Sequence, residues 1–94
     1  MIEKSINFTA TNSLETQYTV PNDFIFRVRT VSVSNTVASA NGLSLRDDGT
    51  RRIDVQIPAD STVTITGLNI DFATNVQSLG DGTGIIATLC GELL

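Results

Sequence analysis

Few side chains of this 94-residue chain have the chemistry of a catalytic or metal-binding group. The chain has ten acidic residues, six basic residues and one cysteine, and it contains neither histidine nor tryptophan. Without histidine, a nucleophilic Cys90 would need a carboxylate, Lys4 or a terminal amine as its base. Zinc sites draw mainly on cysteine and histidine, and one cysteine does not supply such a site. We therefore predict no catalytic residue, no metal site and no cofactor.

Glycoside chemistry is the remaining possibility for the acidic residues. Four carboxylates stand in or beside strand-like segments: Asp54, Asp60, Asp71 and Glu92. Two carboxylates held about 5–10 Å apart can hydrolyse a glycosidic bond, but any chain with ten acids meets that condition. A small carbohydrate-binding module stays open as an alternative, although Tyr18 and four phenylalanines are the only aromatic residues. We do not expect an enzyme or a small-molecule substrate.

The charge balance argues against two classes of partner. The net charge is −4, whereas binding to nucleic acid relies on lysine and arginine to neutralise phosphates. No run approaches the roughly 20 apolar residues of a membrane span, and the N-terminal segment lacks the pattern of a secretory signal. We expect a protein made in the cytoplasm that binds neither nucleic acid nor membrane.

The alternation of apolar and polar residues predicts an all-β protein. Val, Ile, Thr, Phe and Tyr, which favour strands, make up 35 of the 94 residues. Turn residues separate segments near 2–9, 14–20, 24–34, 43–46, 51–57, 62–66, 68–72 and 84–93. About eight short strands at this spacing are typical of an antiparallel β-sandwich or jelly roll.

Several local features refine this expectation. The apolar positions of 24–34 change parity near Arg29-Thr30, which predicts a bulge. A second change at Gly67 predicts a bulge or a bend that turns the chain onto another face. Strands 51–57 and 62–66 are expected side by side, and 36–40 is expected to hold one helical turn. Asp47-Asp48-Gly49-Thr50 predicts a hairpin turn.

The N-terminal segment has two interpretations. Residues 1–13 form either an extended arm or an edge strand, because Lys4 interrupts an apolar alternation that a polar segment then follows. Residues 14–94 are expected to form a single β-sandwich domain. An arm that becomes ordered on docking could contact several neighbouring subunits.

Four segments follow one another in a familiar order: FRVRTVSVSNT (26–36), LSLRDDGT (43–50), IDVQIPADSTVTITGLNI (53–70) and GIIATLCGEL (84–93). In this order they resemble small phage virion proteins, in particular capsid decoration or cement proteins and related head or tail accessory subunits. The resemblance covers roughly residues 20–94 and lies in the order of the segments. It implies a subunit on the virion surface, commonly a homotrimer, that binds the major capsid protein and ties neighbouring copies together. A tail or head-completion subunit is the alternative within this class.

The arm and the arginine-bearing strands provide the candidate contact residues. Arginine on a strand can pair bidentately with a carboxylate of a neighbour. Alternatively, it is a solvent-exposed charge that discourages aggregation through the strand edge. Eight residues are candidates for capsid or intersubunit contact: Ile2, Lys4, Ile6, Phe8, Arg27, Arg29, Arg51 and Arg52.

Overall fold

The computed structural model describes residues 2–94, so Met1, the first residue of the expected arm, lies outside the described residues. Residues 2–94 form nine strands: β1 (Ile2–Ala10), β2 (Glu15–Thr19), β3 (Phe26–Asn35), β4 (Asn41–Asp47), β5 (Thr50–Ile57), β6 (Thr62–Ile65), β7 (Ile70–Phe72), β8 (Asn75–Gly80) and β9 (Ile85–Leu93). None of these residues is helical, so the expected helical turn at 36–40 is wrong and this stretch forms bends. Nothing in the described chain is a helix able to cross a membrane.

The strands of residues 2–94 pair into two antiparallel sheets. Sheet A has the order β1-β9-β3-β6, and β7 also pairs with β3. Sheet B has the order β2-β8-β4-β5. The inward faces of the two sheets enclose one hydrophobic core, which confirms the predicted all-β sandwich.

Aromatic side chains occupy one part of this core. Phe26 on β3 and Phe72 on β7 are fully buried, with ring centroids 6.5 Å apart. Tyr18 on β2 meets Phe26 edge-on at 5.5 Å, and this contact joins the two sheets. Edge-to-face packing of this kind stabilises a core beyond simple burial of area.

A bulge in β3 places both parities of its apolar residues in the core. The register against β9 shifts between Val28 and Thr30, which leaves Arg29 as the extra residue and confirms the predicted bulge. Val28 and Val31 are therefore both fully buried, although they differ in parity. A bulge bends the strand locally and lets it follow the curved core.

The chain around Gly67 passes this bulge without leaving sheet A. β6 and β7 pair with β3 on either side of Arg29, and the Leu68 amide donates to the Arg29 carbonyl at 3.0 Å. Gly67 has a φ of 70°, which glycine adopts without strain. The expected bend is present, but the expectation that it turns the chain onto another face is wrong, because β3 remains the partner of both strands.

The expected pairing of strands 51–57 and 62–66 is also wrong. β5 lies at the edge of sheet B, whereas β6 lies in sheet A. The intervening turn crosses from one sheet to the other, and Asp60 within it has a φ of 51°. The Asp60 amide donates to the Val37 carbonyl at 3.0 Å, which fixes this crossing.

The β4–β5 hairpin confirms the turn predicted at 47–50. Asp48 and Gly49 both have positive φ, of 48° and 84°, as two-residue hairpin turns require. The Asp47 carboxylate accepts three backbone hydrogen bonds of 2.8–3.2 Å from Ala73, Thr74 and Asn75. Partial burial by itself would raise the pKa of Asp47, but these hydrogen bonds and nearby Arg52 outweigh it and lower the pKa below 3.8. Asp47 thereby ties the hairpin to the β7–β8 turn.

Candidate functional site

The four candidate contact residues of the N-terminal segment belong to β1, which pairs with β9 along residues 2–10 at the edge of sheet A. Phe8 is buried in the core, and Ile6 packs against it. Ile2 is 54% exposed at the end of the strand. While β1 stays paired with β9, Ile2 is the apolar residue of this group that presents a surface to a partner.

Lys4 has a different environment from the other basic residues. It lies on the inward parity of β1, half-buried, with its Nζ 4.9 Å from the centre of the Tyr18 ring on β2. The ammonium group is attracted to the electron-rich face of the ring. Lys4 therefore connects the edge strands of the two sheets.

Arg27 pairs with Asp71 across β3 and β7. Its Nε and Nη2 donate to the two carboxylate oxygens at 2.7 and 3.0 Å, and both side chains are about one-third exposed. The hydrogen bonds and the opposite charge raise the pKa of Arg27. The same hydrogen bonds lower the pKa of Asp71 below 3.8, against the opposing effect of desolvation. This pair fastens the short strand β7 to sheet A.

The remaining candidate arginines are dispersed. Arg29, at the bulge, donates hydrogen bonds to Asn69 and to Glu92. Glu92 is buried, and Arg29 supplies the opposite charge for its carboxylate. Arg51 lies 3.2 Å from Asp54 within β5, on sheet B. Arg52 is exposed beside it. The structure therefore places the predicted contact residues on two sheets and does not bring them into one cluster.

An apolar surface that the sequence analysis missed lies where the ends of β1, β3 and β9 meet. Ile25 and Leu94 exchange two backbone hydrogen bonds of 2.8 and 3.0 Å, and Ile2 pairs in register with the adjacent Leu93. Four large apolar side chains at this end are 37–54% exposed: Ile2, Phe24, Ile25 and Leu94. We call these four residues the apolar end. The adjacent Phe24-Ile25 just before β3 is its sequence signal.

The outer face of sheet A is rich in hydroxyl and amide groups. Ser32 bonds to Thr64 at 3.1 Å, and Ser34 bonds to Thr62 at 2.8 Å, across β3 and β6. Cys90 lies on the same face, half-buried, with its sulfur 3.4 Å from the Ser5 hydroxyl. Charged side chains share this face near Cys90, where Glu3, Arg29 and Glu92 line one depression. The hydroxyl-rich part across β3 and β6 carries the Ser–Thr pairs and has little hydration to lose when it packs against another surface.

A trough on the outer face of sheet B is the second surface that the sequence analysis missed. It has a volume of about 270 Å³ and runs over β4 between side chains of β5 and the end of β8. Its lining includes two arginines, two aspartates and a glutamine: Arg46, Arg51, Asp54, Asp81 and Gln56. Within residues 2–94, no group of three or more acidic or cysteine side chains is arranged to hold a metal ion.

Comparison with known proteins places the architecture among solved structures. A protein of Bacillus endospore appendages, which form a novel family of disulfide-linked pili, matches with a TM-score of 0.56 and 16% identity, over 97% of this chain and 81% of that chain. The protein PirA matches with a TM-score of 0.54 and 15% identity, over 94% and 93% of the respective chains. The chain shares their fold.

Other comparisons add nothing to this result. A pentameric capsid protein from metagenomic phage sequences matches with a TM-score of 0.37 and 13% identity, over 94% of this chain and 60% of that chain. No protein-family model and no curated protein matches the chain. At 15–16% identity, the two stronger similarities show the fold alone.

Proposed function

We propose that the protein is a structural subunit that assembles into a larger particle or filament. The observation that carries this proposal is the apolar end, where four large apolar side chains are exposed near one end of sheet A and two of them, Ile25 and Leu94, lie side by side on directly paired backbone. Single exposed apolar residues are normal on a monomer, but several at one place mark an interaction surface. The occupant we propose for the apolar end is a neighbouring copy of the chain.

The composition of the surface supports the same role. Charged residues make up 17% of the chain, against about 25% in typical soluble domains. The hydroxyl-rich part of the outer face of sheet A, across β3 and β6, offers hydrogen bonds to a neighbour at little cost in charge desolvation. Many weak contacts of this kind add up when copies are arrayed on a lattice, because each bound contact raises the effective concentration of the next.

The similarity to the endospore appendage protein also favours assembly, because that protein belongs to a family of pili. Those pili are disulfide-linked, whereas this sequence has a single cysteine, Cys90. One cysteine can join two copies but cannot link a continuous row of subunits. We therefore propose that assembly of this protein depends on non-covalent contacts.

The finer proposal is a capsid decoration or cement subunit of a phage, located on the outside of the head and acting as a homotrimer on the major capsid protein. It is supported by the resemblance of the four segments in residues 20–94 to such proteins. A tail or head-completion subunit is the alternative. The two proposals differ in the part of the phage particle to which the protein binds. Co-sedimentation with phage heads and with isolated tails distinguishes the two.

Light scattering on a sizing column tests the assembly proposal. We expect the reduced wild-type protein to exceed the 10.0 kDa of one chain and the variant Ile25→Ser/Leu94→Ser to approach it. Ile86→Ser is the matched control, because Ile86 is also an exposed apolar residue, at 48%, but lies away from the apolar end. A wild-type protein that stays monomeric at high concentration and binds neither heads nor tails would refute the proposal.

A further inference from the structure

The trough on sheet B has the shape of a binding site. Its floor is β4, whose outward positions include Gly42 and Ser44, with no side chain and a small one. Side chains of β5 form one wall, and Leu79 and Asp81 form the other. Its volume of about 270 Å³ is close to the lower end of the roughly 300–1,000 Å³ range of small-molecule sites, so its ligand is small.

Gly42 is the residue over which Asp81 and Gln56 close, because it has no side chain to keep them apart. A methyl group there would lie 2.5 Å from Asp81 Oδ2 and 2.7 Å from Gln56 Nε2. The two polar groups therefore converge over the same point of the backbone. The Gly42 carbonyl also accepts the Asp81 amide at 2.9 Å, which holds the start of the following turn against the floor.

The trough is lined by both hydrogen-bond donors and acceptors, and some of them have no partner within the protein. Among residues 2–94, the side chains of Gln56 and Asp81 form no hydrogen bond with another residue, whereas Arg46 donates to Ser44 at 3.3 Å and Arg51 pairs with Asp54. Carboxylates only accept hydrogen bonds, guanidinium groups only donate, and glutamine does both. Such a set matches a ligand whose neighbouring groups each donate and accept, which is the chemistry of vicinal hydroxyls.

The charge balance decides between a neutral ligand and an ion. The two arginines and two aspartates of the lining carry no net charge together, so neither a phosphate nor a metal cation is favoured. Leu79 adds a half-buried apolar surface against which the C–H face of a sugar ring can pack. We propose that this trough binds a neutral saccharide, such as the terminal sugar residue of a glycan, with Asp81 and Gln56 bonding its hydroxyls.

Chemical-shift mapping of the ¹⁵N-labelled protein tests the proposal. The probes are neutral hexoses and N-acetylhexosamines at millimolar concentration, with inorganic phosphate and calcium chloride as competing probes. We expect one sugar to shift the amides of Gly42, Ser44, Gln56 and Asp81 in a saturable manner. Shifts at the trough produced only by phosphate or calcium, or no saturable shift with any sugar, would overturn the proposal.

Substitutions then locate the binding. Gln56→Ala and Asp81→Asn should each weaken the sugar affinity about tenfold, as expected for loss of a hydrogen bond to a bound ligand. Gly42→Ala should weaken binding strongly by pushing the Asp81 and Gln56 side chains out of place, and thermal unfolding shows whether the variant stays folded. Thr19→Ala, an exposed residue of sheet B outside the trough, is the matched control. If Gln56→Ala and Asp81→Asn both bind the sugar with wild-type affinity, the assignment is wrong.

Discussion

Gly91 on β9 faces the backbone of Arg27 on β3 so closely that a methyl group on its α-carbon would lie 2.8 Å from the Arg27 carbonyl carbon and even nearer to the carbonyl oxygen. The obstacle is backbone, so no side-chain rotation can relieve it. This approach occurs beside the β3 bulge, where the register passes from Val28 to Thr30. Glycine at position 91 is thus part of the bulge.

Replacing this glycine should destabilise the protein. We expect Gly91→Ala to lower the free energy of unfolding by about 3 kcal/mol, because overpacking forces the two central strands of sheet A apart. Urea denaturation measures the change. Gly82→Ala is the control, since its added methyl group would meet only the Asn41 side chain at 3.8–3.9 Å. Equal stability of the two variants would mean that β3 and β9 can separate at no cost.

Acid should weaken the tie made by Asp47. Its pKa is lowered in the folded protein, so the unfolded state binds more protons and stability falls with decreasing pH. The contribution is complete above the ordinary carboxyl pKa of 3.8 and disappears as the pH falls through the lower, folded value. We expect Asp47→Asn to cost on the order of 2 kcal/mol at pH 7. Thermal unfolding at pH 7 and near pH 2 should show this difference shrink, and a constant difference would contradict the assignment.

The Arg27–Asp71 pair should act locally on β7. We expect Arg27→Lys, which keeps the charge but loses the two-pronged hydrogen bond, to speed amide hydrogen exchange in Ile70–Phe72. Arg51→Lys is the control, because its partner Asp54 lies in the same strand. Exchange in β7 that is equally fast in both variants would show that the pair does not hold this strand.

Lys4 should discourage pairing through the free edge of β1. A charge on the inward face of an edge strand opposes addition of another strand. We expect Lys4→Val to change the stability by only about 1 kcal/mol, because a contact between Lys4 and Tyr18 is weak. Its light-scattering mass should nevertheless rise with concentration beyond that of wild type. Lys4→Arg keeps the charge and should behave as wild type; if both variants associate equally, the charge is not the cause.

Removal of residues 1–13 should lower the stability of the fold. β1 supplies Phe8 and Ala10 to the core and covers one edge of β9. Phe8→Ala alone should cost about 3–5 kcal/mol, measured by urea denaturation. Thr9→Ala, the adjacent exposed residue, is the control. A truncated protein with wild-type stability would show that the segment is a detachable arm.

The features that the sequence predicts correctly are those determined by residues close together in the chain. The parity change at Arg29-Thr30 and the turn at Asp48-Gly49 are local signals, and both predicted features are present. β8 was missed because its inward positions after Val76 are Ser78 and Gly80, which break the apolar alternation. The pairing of β5 and β6 was assigned wrongly because the path of a turn between sheets depends on tertiary contacts.

The candidate surfaces depend on contacts between distant parts of the chain. The apolar end combines Ile2, Phe24-Ile25 and Leu94, which β9 brings together through its pairing with β1 and β3. The trough requires Gly42, Gln56 and Asp81 to lie on three adjacent segments. No periodicity within one strand indicates either arrangement.

The position of β9 between β1 and β3 has a consequence for biosynthesis. During translation β9 emerges after the other eight strands of residues 2–94, so β2, β4, β5 and β8 can assemble before sheet A is complete. Until then β1 and β3 lack their shared partner and expose unpaired backbone groups, a state prone to aggregation. A chain cut short before Ile85 could therefore form sheet B while sheet A stays open, and it would be a ready substrate for chaperones and proteases.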